Sequence, residues 1–280
     1  MKAFVINVAR CNGCHNCQIA CKDEHCGNDW MPYARPQPET GQFWCKVNEY
    51  VRGTVPKVKV SYVPRLCMHC DAAPCIPACP IKGGIYKRDD GLVIINPKKC
   101  TGCMNCVDAC PYGCIYFNED LDIAQKCTGC THLLDRGWPI KEPRCVDACA
   151  TGAIKFGDES ELSDLISKAE VLNLEYGTRP RVYYMNLPKR FIAGTVYDPI
   201  EKEVVVGASC TLTGEDDIFS AMTDGFGDFW FEGLKVGAFS LKIEAAGFAT
   251  KTLDAISTKK DVNLGDIPLS QQVLKTTRSR

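Results

Sequence analysis

Alternation of apolar and polar residues with a period of two dominates the last third of this chain. In "FSLKIEA", Phe239, Leu241, Ile243 and Ala245 fall on one face of an extended strand, while Ser240, Lys242 and Glu244 fall on the other. "TDGFGDFWFEG" reads as a turn followed by a strand, and turn signals recur through Gly247 and Asp261. About seven short strands between residues 191 and 270 predict an antiparallel β-sandwich.

The first half carries a different pattern. "PIKGGIYKRDDGLVIIN" and "PYGCIYFNEDLDIAQ" each read as a short strand, a polar turn and a second strand, with Asp90-Gly91 supplying a hairpin turn in the first copy. "ATGAIKF" starts a third such strand and "AFVINVARC" holds another. Hairpins repeated at this scale frame ferredoxin-like units. Between the halves, "DESELSDLISKAEV" (158–171) predicts a helix with Asp158 as N-cap and Glu161 completing a capping box. Leu162, Leu165, Ile166 and Ala169 form its apolar stripe. "GTRPRVYYMNLPKR" reads as a linker. The expected organisation is an α+β domain over 1–157 with an insertion at 22–66, a helix and linker over 158–190, an all-β sandwich over 191–270, and a tail over 271–280.

Composition changes this picture at one point. A chain of 280 residues exceeds one average domain. It holds 20 cysteines, nineteen of them before residue 150 and only Cys210 after it. In a reducing compartment such density reads as metal binding or redox chemistry. Sixteen of them fall into four groups: Cys11, Cys14, Cys17, Cys21; Cys67, Cys70, Cys75, Cys79; Cys100, Cys103, Cys106, Cys110; and Cys127, Cys130, Cys145, Cys149.

The first and third groups match the bacterial ferredoxin run, and proline follows the fourth cysteine in the second and third. A short non-helical loop wraps three corners of an iron–sulfur cube with two-residue steps but does not reach the fourth. The remaining cysteine, placed at the start of the next helix, serves a neighbouring cluster. Four groups thus make two exchanging pairs and four 4Fe–4S clusters. Zinc prefers two Cys-x-x-Cys pairs a dozen or more residues apart, which only the fourth group resembles.

Charge adds little. The net charge of −1 gives no field for nucleic acid or an anionic membrane. Residues 1–157 hold 19 Lys/Arg against 15 Asp/Glu, an excess of four that offsets part of the negative charge of four clusters at about −2 each. No apolar run approaches the ~18–20 residues of a membrane span, and "MKAFVINVAR" is too short and polar for a secretory signal. A cytoplasmic location is expected, with export alongside a twin-arginine partner as the alternative.

Four cysteines lie outside the groups. Cys114 reads as a small core residue on a strand, and Cys26 and Cys45 as free thiols in the insertion; Cys210 is the fourth. Asp23-Glu24-His25 reads as a solvated or interface helix end. The Pro-, Gly- and aromatic-rich segment 22–66, with Trp30 and Trp44, reads as a long irregular loop that serves for docking. The sandwich carries no constellation for metal binding or nucleophilic catalysis.

The four cysteine groups, in this order and spacing, resemble the iron–sulfur subunits of molybdopterin enzymes of the dimethyl sulfoxide reductase superfamily. "DEH", "RGTVP", "CMHCDAAPC", "AQKCTGCTHLLD" and "RPRVYYMNL", followed by a sandwich, are similar to its pyrogallol–phloroglucinol transhydroxylase small subunits. The resemblance implies that the first group pairs with the fourth and the second with the third. Cluster A would then take Cys11, Cys14, Cys17 and Cys149, and cluster D Cys127, Cys130, Cys145 and Cys21. Cluster B would take Cys67, Cys70, Cys75 and Cys110, and cluster C Cys100, Cys103, Cys106 and Cys79. It implies a transthyretin-like or carboxypeptidase-regulatory-like sandwich, and a large partner subunit holding bis-molybdopterin guanine dinucleotide with molybdenum or tungsten. In the transhydroxylase branch one cluster's ligands are lost; here all sixteen cysteines are kept.

The resulting expectation is an electron-transfer subunit with no catalytic site of its own. It would serve hydroxylation, dehydroxylation or transhydroxylation of a phenolic compound and pass electrons to or from an external carrier. The competing readings are a respiratory subunit linked to quinones, for arsenate, tetrathionate or polysulfide chemistry, and a zinc-stabilised scaffold or nucleic-acid binder.

Overall fold

The computed structural model describes residues 1–272. They divide into two units, one made of residues 1–50 and 61–187, the other of residues 51–60 and the chain from Pro188 onward.

The first unit opens with β1 (Lys2–Asn7), whose four central residues are all buried. A strand that packs on both faces needs such a continuous apolar run. A 3₁₀ turn (Val8–Arg10) leads into the first cysteine loop and then α1 (Asn16–His25). Residues 26–44 are irregular, but β2 (Cys45–Thr54) and β3 (Lys57–Leu66) follow as a two-stranded hairpin, so the second half of the insertion is regular where a loop was expected. Next come α2 (Cys75–Ala78), the antiparallel pair β4 (Ile85–Lys87) and β5 (Val93–Ile95), and α3 (Asn105–Asp108). The β4–β5 turn holds Gly91 at φ +90°, as the Asp90-Gly91 signal requires. A second pair, β6 (Tyr116–Asn118) and β7 (Ile123–Gln125), repeats the plan. Two more short helices, α4 (Thr131–Asp135) and α5 (Arg144–Asp147), precede β8 (Ile154–Asp158), α6 (Ser163–Ile166) and β9 (Val182–Met185).

The unit closes on itself through β1. β8 pairs with it antiparallel, Phe4 opposite Phe156, and β9 pairs parallel, Phe4 beside Val182. This corrects two expectations. The segment "RVYYMNL" is an edge strand of the first unit, with Tyr184 fully buried, and not a linker. The helix expected over 158–171 is a single turn, α6. Asp158 ends β8, where its carboxylate takes Lys2 Nζ at 3.0 Å, while Glu161 still reaches back to the Asp158 amide at 3.0 Å. With the expected cap engaged elsewhere and Leu162, Leu165 and Ile166 only half-buried, nothing extends the helix.

The second unit is all β. It runs β10 (Arg190–Asp198), β11 (Glu203–Val204), β12 (Ser209–Thr213), β13 (Ile218–Met222), β14 (Asp228–Leu234), β15 (Ala238–Glu244), β16 (Lys251–Ser257) and β17 (Val262–Pro268). One sheet is centred on β10, which pairs with β11, β14 and β17; the other has the order β13-β12-β15-β16. Ile192, Val196, Phe229 and Phe231 from the first sheet and Cys210, Leu212, Leu241 and Ile243 from the second share one core. The expected antiparallel arrangement holds except that β17 runs parallel to β10. The tip of the β2–β3 hairpin belongs to this unit. Its buried Lys57 pairs with Asp228, Arg52 Nη1 lies 3.1 Å from Asp261, and Lys59 Nζ lies 4.7 Å from the centre of the Trp230 ring.

Candidate metal centres

Three of the four cysteine loops turn at a left-handed glycine: Gly13 at φ +74°, Gly102 at +71° and Gly129 at +65°. At the equivalent place in the second loop stands His69, at φ +44°. His15, Met104 and Cys130 are left-handed as well. Backbone that alternates hand so closely curls around a point, which neither helix nor strand does. The third cysteine of each group then enters a helix. Cys17 and Cys21 both lie within α1; Cys75 opens α2 and Cys79 ends it; Cys106 and Cys145 lie within α3 and α5, and Cys110 and Cys149 follow them. The fourth cysteine therefore follows the short helix that the third enters in the last three groups and lies inside α1 in the first; in none does it start the next helix, as was expected. Four residues advance about 6 Å along a helix, enough to aim two thiols on one side at two separate points. α1 packs against α5, and α2 against α3.

The cysteines gather in four sets, each with three members from one loop and one from another. Cys11 has Cys14, Cys17 and Cys149 as neighbours. Cys21 lies among Cys127, Cys130 and Cys145. Cys75 lies beside Cys67, Cys70 and Cys110, and Cys106 beside Cys100, Cys103 and Cys79. Burial and this mutual repulsion push the thiols up: Cys70 and Cys106 to about 11, Cys75 and Cys127 to about 12. So many thiols crowded out of water ionise together only around a core of metal cations, which deprotonate them outright.

The sets also stand in a series. Cys45, only 1% exposed, lies beside both Cys17 and Cys145 and so stands between the Cys11 set and the Cys21 set. Cys127 neighbours Cys67, and the buried Cys114 neighbours Cys67, Cys110 and Cys127, so the Cys21 set adjoins the Cys67 set. α2 and α3 join the Cys67 set to the Cys100 set. The two end sets each contain an exposed cysteine, Cys14 and Cys103, whereas all four members of the Cys21 set are buried.

The comparisons with known proteins agree with this architecture. The family described as "4Fe-4S dicluster domain" matches residues 58–159, and "Carboxypeptidase regulatory-like domain" matches residues 192–270. The chain is 37% identical to the pyrogallol hydroxytransferase small subunit of Pelobacter acidigallici, over 95% of this chain and 98% of that protein. It is 36% identical to a tetrathionate reductase subunit of Salmonella typhimurium, over 68% of this chain and 74% of that one. It is 33% identical to the arsenate respiratory reductase iron–sulfur subunit of a Shewanella species, over 65% of this chain and 94% of that one. The chain belongs to the iron–sulfur subunit family of the dimethyl sulfoxide reductase superfamily.

What the subunit offers its metal can be tested on its own atoms. Backbone amides donate to sulfur at Cys100 (from Ala124, 3.3 Å), Cys127 (from Gly129, 3.3 Å) and Cys149 (from Ala153, 3.2 Å). Such donors favour electron-rich sulfur, as iron–sulfur proteins require. Cys79, Cys100, Cys103 and Cys106 line one small hollow, walled by Ile85 and Ile95. A Cβ on Gly84 would lie 2.7 Å from Cys79 Sγ, so only glycine lets the backbone approach that thiol. The donor set and the dry walls fit iron–sulfur clusters.

Several residues near the thiols went unread in the sequence. Glu24 and His25 are not a solvated helix end. Glu24 Oε1 accepts from His132 Nε2 at 3.0 Å, and Arg144 Nε lies 3.4 Å from its other oxygen. Burial holds His25 and His132 down to about 4, so both rings are neutral at ordinary pH and the Glu24–His132 contact is a hydrogen bond. Trp30, half-buried, stacks on His132 at 4.5 Å, and the buried Trp44 packs against His25 at 4.7 Å. Among the described residues no helix is long and apolar enough to cross a membrane.

Proposed function

We propose that the subunit holds four 4Fe–4S clusters in series and carries electrons between a large molybdopterin partner and an external carrier. Cys11, Cys14, Cys17 and Cys149 would hold cluster A; Cys127, Cys130, Cys145 and Cys21, cluster D; Cys67, Cys70, Cys75 and Cys110, cluster B; Cys100, Cys103, Cys106 and Cys79, cluster C. When bound, these groups supply one-electron carriers. The observation that carries the reading is the order A–D–B–C, linked by Cys45, Cys114 and the α2–α3 contact, with an exposed cysteine at each end. The chain's own work is to hold the sulfurs, keep the inner sets dry and donate hydrogen bonds to them. Catalysis belongs to the partner, with molybdenum or tungsten on bis-molybdopterin guanine dinucleotide.

The substrate we infer is phenolic. The pyrogallol hydroxytransferase relative matches 95% of this chain, sandwich included, whereas the tetrathionate and arsenate relatives match 68% and 65%. A transfer of hydroxyl between rings is redox-neutral and needs no exit for electrons. Sixteen cysteines in four complete sets favour a reaction with net electron exchange, such as hydroxylation or dehydroxylation. The second reading, a quinone-linked respiratory subunit, draws its support from those same two reductase relatives.

The test is anaerobic purification from the native cell. About sixteen irons per chain, with equal acid-labile sulfide and a large subunit containing molybdenum or tungsten, are expected. Fewer than about a dozen irons, or a lone chain, overturns the reading. A phenol that bleaches the oxidised clusters, as in hydroxylation, or restores the colour of reduced ones, as in dehydroxylation, supports the phenolic assignment; a response to a quinone or quinol alone supports the second reading.

A further inference from the structure

Lys126 is 2% exposed, yet no carboxylate among the described residues pairs with it. Its ammonium donates to the carbonyls of Val93 and Cys127, the latter at 3.1 Å, which leaves its third N–H and its charge without a protein partner. A buried cation without a counter-charge costs several kcal/mol. His69 completes the group from the other side of the same strand residue. The Val93 amide donates to His69 Nδ1 at 3.0 Å, so the ring proton sits on Nε2, which is fully buried and has no acceptor. His69 also occupies a left-handed position that the three other loops give to glycine, which is costly unless the side chain is used.

Both groups lie at the seam between the Cys67 and Cys21 sets. His69 stands between Cys67 and Cys70, and Lys126 precedes Cys127, which neighbours Cys67. We propose that Lys126 and His69 are positioning residues for the two inner clusters, Lys126 as their buried counter-cation and His69 as a hydrogen-bond donor to cluster B. This rests on the four-cluster reading above. An oxidised cluster with four thiolates carries about −2, and reduction adds one more negative charge. A fixed cation and an N–H donor stabilise the reduced form more than the oxidised form, so both residues raise the midpoint potentials of clusters B and D. Together they keep the middle of the series easy to reduce although it is the driest part.

The test is an EPR-monitored redox titration of the holo-complex, with iron and sulfide measured on every preparation. Lys126→Met is expected to lower the equilibrium constant for reducing an inner cluster at least tenfold, 59 mV for a one-electron couple. Lys126→Arg, which keeps a charge at every accessible pH, restores it. His69→Gly takes the residue used by the other three loops and is expected to give a smaller fall in the same direction, about threefold. A wild type without four clusters sinks the four-cluster reading itself. A wild type with four clusters, and variants with full iron whose equilibrium constants for reduction change less than twofold, overturns the role of these residues alone. Should Lys126→Met lose iron, the His69→Gly and Lys126→Arg titrations decide.

Discussion

The two units of this chain solve the problem of an interior in opposite ways. The second builds it from Ile192, Phe229, Leu212, Leu241 and their neighbours, on strands of up to nine residues. The first threads thiols through its core beside Phe4, Ile6, Leu66 and Leu92, and its helices α2 to α5 have only four or five residues. Helices that short do not stand alone in water. Hydrophobic burial holds the second unit, whereas the middle of the first is stapled by whatever its cysteines bind. The difference teaches that burial is not one kind of stabilisation: a buried leucine needs no partner, while buried thiols carry charge only when metal cations deprotonate them.

The largest consequence is selective collapse. Anaerobic removal of iron from the full chain with a chelator is expected to abolish hydrogen-exchange protection over 67–149, while strands β10 to β17 keep theirs. Equal loss in both units, or in neither, would show that the two interiors do not differ as described. Gly84→Ala sets a smaller disturbance inside the first unit. Its new methyl meets Cys79 Sγ and the Ile81 carbonyl, so we expect loss of about one cluster's worth of iron with the second unit unchanged. An iron count equal to wild type would mean that the thiol can retreat. In the second unit, Leu212→Ala removes a fully buried side chain facing the other sheet. It is expected to cost about 2–5 kcal/mol of that unit's stability and no iron, read by denaturant unfolding beside iron analysis.

The ease of reading followed the range of the interaction. The cysteine loops and the hairpins β4–β5 and β6–β7 are local, so spacing and an Asp-Gly turn were sufficient. β15 was readable because its alternation faces one core. β9 was not: Val182 finds Phe4 across most of the first unit, and the flanking Gly177 and Pro180 mimic a linker. The β2–β3 hairpin was hidden by Pro56 and Pro64, which a two-stranded ribbon tolerates at its turn and edges. Lys126 looks like any surface lysine until its burial is seen. His69 did leave a trace, the one residue standing where Gly13, Gly102 and Gly129 stand, but a side chain in place of glycine shows its meaning only once φ is known.

The smallest expected effect is a pH dependence confined to the second unit. Burial pushes the Asp228 carboxyl up, but the Lys57 ammonium and the Thr195 hydroxyl, at 2.7 Å, outweigh it and hold the group below the usual carboxylate range. The folded state therefore favours the ionised form. Its contribution is complete above the unfolded aspartate value near 3.9, shrinks as pH falls through that value, and vanishes below the folded one. For a partly exposed pair this amounts to about 1 kcal/mol or less. Hydrogen exchange of β14 in the full chain, compared at about pH 6 and about pH 3, is expected to show that loss in wild type and a flatter response in Asp228→Asn. An identical response in the two proteins would place the acid sensitivity of the sandwich elsewhere, and would leave its apolar core as the sole support that distinguishes it from the metal-dependent unit.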